Sequence, residues 1–402
     1  AFILLNASIA MLELMVERVR PGSSGTFPVF LATGGTTIDV SMRRTVDSAV
    51  VQLAGQVTAI SLDAAGEVRD GYTAVQNLRF TRVEGAALSR IKIGAPNYDA
   101  PADAPYTAEH AQIPVPAGHE LAATLTRPRN AGDRPPVVVT ITGSGAQDRD
   151  EYISLVRGYR PFRQVADTLG RNGVAVLRFD DRGFGASTGN FGAATSADFA
   201  DDVRAAIAWL RARDDIDPKR IFLLGHSEGG LIAPMVAAVD PTLAGIVLLA
   251  GPAQKGRDII FYQQRYAIDH DTALKTVRAR DSTAARARVQ YDSVAQTAPW
   301  TKLFGIYDPL PTARKVRVPT FILQGQNDRQ VTFEQANALG EAIRAGGNSD
   351  VTVRVMPGLN HLFLPDDDGS PANYARLPSG HIGPEVMGLI VGWVTAHKRP
   401  KP

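Results

Sequence analysis

Residues 221–239, IFLLGHSEGGLIAPMVAAV, constrain this chain more than any other stretch. Ile221 to Leu224 is a short apolar run of the kind that forms a buried strand. It passes through Gly225-His226-Ser227-Glu228-Gly229-Gly230 into a helix-like segment rich in Ala, Met and Val. G-x-S-x-G between a strand and a helix is the pattern of a nucleophile elbow. Such a sharp turn forces its serine into a strained backbone conformation. The glycines two residues to either side remove side chains that would collide there. A lone G-x-S-x-G is also compatible with a tight turn and an ordinary serine; the flanking strand and helix give it meaning.

The rest of the chain supplies a sheet for this turn. From about residue 107, strand-like and helix-like segments alternate. Strands are expected at 108–114, 120–126, 137–142, 174–179, 221–224, 245–250, 318–323 and 351–355. Helices are expected at 160–171, 196–213, 228–239, 333–345 and 384–396. Runs such as VVVTI and GIVLLA are apolar throughout, as in strands buried on both faces. The expected fold class is α/β, a mostly parallel eight-stranded sheet with helices on both faces. The site then belongs at the carboxyl ends of the strands. Residues 251–317 break the alternation with polar, helix-prone sequence. They are too long for a connecting loop, so a helical cap is expected at about 255–316.

Residues 1–95 read differently. Short Val-, Thr- and Ile-rich runs recur between turn signals, and VQLAGQVTAISL (51–62) alternates as an antiparallel strand does. A small all-β domain is expected there, followed by a Pro-, Ala- and Asp-rich linker at 96–106. At 402 residues, two domains suit the length, and the catalytic domain is placed at 107–402.

Composition narrows the chemistry. A net charge of +2 offers no nucleic-acid surface. The absence of cysteine excludes disulfides, thiolate metal sites and cysteine nucleophiles. The opening AFILLNASIAMLELMVERV is broken by Asn6 and Glu13, too short and interrupted to span a bilayer. It lacks a basic leading segment and a clear cleavage site, and it begins with Ala, as a mature or trimmed product would. A soluble protein on either side of a membrane is expected. Its oligomeric state is open, a homodimer included.

A serine hydroxyl needs a base to take its proton during attack, and the base is usually a histidine held by a carboxylate. Seven histidines are available. His361 follows the strand VTVRV through Met356-Pro357-Gly358-Leu359-Asn360 and is the leading candidate; His381 is the second. His226 adjoins Ser227, so its side chain should diverge from the serine's. Asp328, closing FILQGQND after the strand at 318–323, lies between Ser227 and His361 in chain order and is the candidate orienting acid. Asp180 and Asp181 precede Ser227, and a structural ion pair with Arg182 suits them better. An oxyanion needs two backbone N–H donors. One candidate is Glu228, at a helix N-terminus. The other lies in Gly143-Ser144-Gly145-Ala146, with Ser144 first and Gly145 second. A phosphate cradle is the rival reading of that loop, but no Gly-Lys-Ser/Thr follows it. Trp300, Phe304 and Tyr307 are candidate pocket walls from the cap side. No metal site is expected: a calcium loop starting at Asp366 would end at Leu377 rather than at a glutamate.

Together these stretches resemble the α/β-hydrolase superfamily, and within it the bacterial carboxylesterase-type serine hydrolases that carry an extra N-terminal domain. The likeness runs from about 107 to 396. It covers GSGAQDRD (143–150), LRFDDRGFGASTGNF (177–191), GHSEGG (225–230), YDP (307–309), QGQNDRQV (324–331), GLNHLF (358–363) and SGHIGPEVMGLIVGWV (379–394). The resemblance implies hydrolysis of a small-molecule carboxylic ester by Ser227, His361 and Asp328 without a cofactor. It also implies an architectural role for Asp181-Arg182-Gly183. A serine peptidase of the same superfamily, a thioesterase or acyltransferase, and a non-catalytic binding protein are the competing readings. Dienelactone-type relatives normally use Cys, and dehalogenase- and epoxide-type relatives place Asp where Ser227 stands.

Overall fold

A computed structural model of the chain describes residues 2–4, 9–31, 36–53, 56–73, 78–83, 96–129, 134–271 and 274–397. The chain divides into two compact units, Ala1–Asn97 and Tyr98–Pro402.

The first unit is a seven-stranded sheet in sequential order: β1 Phe2–Leu4, β2 Ser24–Leu31, β3 Thr36–Arg44, β4 Ser48–Leu53, β5 Gln56–Leu62, β6 Val68–Thr73 and β7 Leu78–Thr81. Neighbours from β2 onward pair antiparallel, and β1 pairs parallel with β2. The region expected to be all-β also carries a helix, α1 Ile9–Arg18. Leu12, Met15, Val16 and Val19 recur at helical spacing. The last three are buried with Val29, Val40, Met42, Val51 and Ile60 of the sheet, and Leu12 packs against that cluster. The apolar opening that reads as an interrupted run is thus the cover of one sheet face.

The second unit holds an eight-stranded sheet. Its strands are β8 Tyr106–Val115, β9 His119–Pro128, β10 Val137–Ile141, β11 Ala175–Phe179, β12 Ile221–His226, β13 Gly245–Leu249, β14 Thr320–Gly325 and β15 Val351–Met356. The order is β15-β14-β13-β12-β10-β11-β9-β8. All pairings from β15 to β11 are parallel; β9 and β8 add an antiparallel edge. Strands β10 to β14 are buried along their whole length, as their continuous apolar runs require. Helices α2 Pro161–Arg171 and α10 Pro384–Ala396 contribute to one apolar cluster. Helices α3 Ser196–Arg211, α4 Glu228–Ala237 and α9 Glu334–Ala345 contribute to a second.

Between β13 and β14 the chain forms α5 Gly256–Asp269, α6 Val277–Thr297, α7 Pro299–Ile306 and α8 Pro309–Ala313. The stretch expected to be a contact-poor linker is partly structured: the Arg149 guanidinium lies 4.3 Å from the Tyr98 ring centroid, and β8 begins at Tyr106.

Candidate active site

The turn after β12 places Ser227 at φ 53°, ψ −116°, a left-handed conformation that a non-glycine residue adopts only when its surroundings impose it. The surroundings are tight. A Cβ on Gly225 would collide with the Gly229 carbonyl oxygen, and one on Gly229 with that of Ile141. The strand end, the turn and the first turn of α4 therefore approach more closely than any side chain permits. The Ser227 amide donates to the Leu249 carbonyl at 2.8 Å, tying the turn to β13.

Asp328 and His361 come from the loops after β14 and β15. His361 Nδ1 lies 2.7 Å from Asp328 Oδ2, and both side chains are buried. The carboxylate is held from several sides. Oδ1 accepts the amides of Gln330 and Val331 at 2.7 and 2.8 Å, and Oδ2 accepts Gln324 Nε2 at 2.7 Å. Ser227 and His361 open onto one cavity of about 290 Å³. His381, the second histidine candidate, lines a different cavity with Tyr98, Arg163 and Gln164.

The loop after β10 closes another wall. Ser144 lines the cavity, and the Glu228 residue that opens α4 lines it too. Gly145, at φ 99°, is not among the lining residues. The Gly143 amide is already committed to Glu151 Oε1 at 2.8 Å.

Ile259 and Ile260 of α5 and Trp300 and Phe304 of α7 also line the cavity. Trp300 and Phe304 stack at 4.7 Å between centroids. Tyr307 does not line it; its hydroxyl pairs with Thr312 Oγ1 at 2.5 Å. Glu228 Oε1 accepts both Ser196 Oγ at 2.6 Å and Trp300 Nε1 at 2.8 Å, so the residue after the serine also ties α3 and α7 together. Burial pushes the Glu228 carboxyl above the usual carboxylate range, against hydrogen bonds from Ser196, Trp300 and Ser144 that pull it down.

Asp180 and Asp181 make different contacts from the expected pairing with Arg182. Asp180 binds Arg149 through both carboxylate oxygens, at 2.9 and 2.8 Å, while Arg182 pairs with Asp202 at 2.6 Å. Asp181 accepts Thr142 Oγ1 at 2.7 Å and the Gln147 amide at 2.9 Å, pinning the two ends of the 143–147 loop. Burial raises the Asp181 carboxyl well above its usual range, as suits a buried group bonded to neutral donors.

The 305 residues from Tyr98 onward carry all of this geometry, and known proteins share their layout. The esterase Pf2001 of Pyrococcus furiosus superposes over 76% of this chain and 98% of its own, with a TM-score of 0.52 at 17% identity, a likeness in fold. The family described as "Serine aminopeptidase, S33" matches residues 156–298. The chain has the α/β-hydrolase fold. In sequence the chain is 26% identical to esterase EstD of Thermotoga maritima over 279 residues, 68% of this chain. It is 34% identical to an uncharacterized Mycobacterium tuberculosis protein over 118 residues, 29% of this chain. It spans 65% of EstD and 37% of the mycobacterial protein, less than two thirds of either. Among the described residues, no helix is long and apolar enough to cross a membrane, and no cluster of three or more His, Asp or Glu is arranged to hold a metal.

Sequence reasoning passed over one residue pair. Glu151 is fully buried beside the cavity, with its carboxylate on His226. The only trace in the sequence is the acidic run Asp148-Arg149-Asp150-Glu151 after the glycine loop, which periodicity does not interpret.

Proposed function

We propose that this α/β-hydrolase is a serine carboxylesterase that works through an acyl-enzyme. The observation that carries the reading is the buried His361–Asp328 pair at 2.7 Å, opening onto the same cavity as Ser227 in its strained turn. Ser227 Oγ attacks the ester carbonyl while the free Nε2 of His361 takes its proton. The oxyanion faces the amides of Glu228 and Ser144. His361 then passes the proton to the leaving alcohol and activates water to release the acid. Asp328 fixes the ring so that Nδ1 keeps its proton, and it stabilises the imidazolium that forms. Ile259, Ile260, Trp300 and Phe304 give the acyl or alcohol group an apolar wall. The cavity volume suits a small ester. The likeness to EstD supports the same reading.

A peptidase activity is the second reading, favoured by the description of the family that matches residues 156–298. Steady-state hydrolysis of p-nitrophenyl esters set against aminoacyl p-nitroanilides separates the two. The esterase reading expects turnover of the esters, its loss in Ser227→Ala, and little turnover of the anilides. Faster cleavage of the anilides favours the peptidase.

A further inference from the structure

His226, one residue before Ser227, has its ring between two acceptors. Nδ1 lies 2.8 Å from Glu151 Oε1, and Nε2 lies 3.1 Å from the His361 carbonyl oxygen. A carbonyl oxygen only accepts, so Nε2 carries a proton. A second proton then lies between Nδ1 and the Glu151 carboxyl. The same Oε1 accepts the Gly143 amide at 2.8 Å, which favours the carboxylate and places that proton on the ring. Burial opposes a charge on His226. Burial is the largest single influence, but the charge and hydrogen bond of Glu151, the His361 carbonyl and Asp328 together outweigh it, and the net direction is upward from 6.5.

The pair joins the loop after β10 to the loop that carries His361. Glu151 Oε1 holds the amide at the start of the oxyanion loop. That loop packs against the nucleophile: a Cβ on Gly143 would stand 3.3 Å from Ser227 Cβ. His226 belongs to the nucleophile turn itself, and its Nε2 holds the main chain of the base. The His226 and His361 ring centroids are 4.9 Å apart. Glu151 has φ 56°, a left-handed conformation that a non-glycine residue adopts only when its surroundings impose it. Its Oε2 is buried with no hydrogen-bond partner among the described residues, so its polar contacts run through Oε1.

We propose, on the strength of the Ser227 acyl-enzyme reading, that Glu151 and His226 form a buried ion pair that positions the site. The pair clamps the 143–145 loop through the Gly143 amide and the His361 turn through its main-chain carbonyl. Both residues also border the cavity of Ser227, and the role assigned to them is to position the site, not to react. Glu151→Gln keeps the shape and removes the charge. His226→Asn retains a donor for Glu151 and drops the His361 carbonyl; His226→Gln retains reach toward that carbonyl and releases Glu151.

The experiment pairs p-nitrophenyl acetate kinetics with NMR of selectively ¹⁵N-histidine-labelled protein. Loss of one oxyanion donor costs about 10²–10³-fold in kcat, and a loosened clamp is expected to lose kcat approaching that range in Glu151→Gln, with KM within about threefold. Both His226 variants lose kcat in the same direction. In the wild type the His226 ring holds both protons at pH values above 6.5, and in Glu151→Gln it becomes neutral. Variants that all retain wild-type kcat overturn the clamp. A His226 that titrates at 6.5 in the wild type overturns the ion pair, whether or not Glu151→Gln folds. A wild-type protein that cleaves no ester removes the acyl-enzyme reading, while the ring's protonation still decides the pair, so the two failures are told apart.

Discussion

His361 Nδ1 and Asp328 Oδ2 lie 2.7 Å apart, although 33 residues and a strand separate them in the chain. The parallel pairing of β14 with β15 brings their loops to one sheet edge. Two main-chain amides and the Gln324 side chain already hold Asp328, so its carboxylate cannot swing away from the imidazole.

Asp328→Asn keeps the size of that side chain and lets it donate toward Nδ1, favouring the wrong tautomer of His361. Ester turnover should fall by about 10⁴-fold in kcat, as for the equivalent change in a serine protease triad. Steady-state kinetics with circular dichroism check this. A fall of less than tenfold with the fold intact would show that Asp328 does not orient the base.

Gly229→Ala should be far more damaging than its one methyl group suggests. Its Cβ would drive into the Ile141 carbonyl, which is backbone and cannot move aside. Overpacking of this kind costs about 1–3 kcal/mol or more. A lowered urea midpoint with loss of ester turnover is expected; a variant matching the wild type in both contradicts the close approach of α4 to β10.

Trp300→Ala removes the stacked wall and the donor to Glu228 together. The cavity then gains room on the side of α7. Relative kcat/KM across p-nitrophenyl esters of increasing acyl length should shift toward longer chains, with the short-chain esters losing several-fold. An unchanged chain-length profile would place the substrate away from α7.

Burial holds the Glu228 carboxyl above 4.5 in the folded protein. The folded state then binds that proton more tightly than the unfolded chain, and stability declines as pH climbs from 4.5 through the raised value. Glu228→Gln cannot ionise and escapes this decline. Its stability relative to the wild type should improve between pH 4.5 and 8, read from urea midpoints at each pH. A difference that moves the other way contradicts a raised carboxyl at this position.

The parallel sheet and the positions of Ser227, Asp328 and His361 were legible because each depends on local pattern: apolar runs, a glycine turn, and polar residues just past strand ends. The helix Ile9–Arg18 was obscured because its helically spaced apolar residues sit inside a longer apolar run that hides the period. Arg149, Glu151 and Asp181 were illegible in a different sense. Their partners, Asp180, His226 and Thr142, lie 31 to 75 residues away and are chosen by how β10, β11 and β12 sit side by side. Tyr307, just past the end of α7, does not line the cavity for a related reason: sequence does not say which aromatic ring turns toward it.

Intact-protein mass spectrometry with a fluorophosphonate tests the central claim most directly, because the probe reacts only with a serine activated for attack. One adduct per chain is predicted, mapped by peptide sequencing to Ser227 and absent from Ser227→Ala, with ester turnover lost in step with labelling. No adduct, an adduct on another residue, or full ester turnover after complete labelling of Ser227 would contradict it.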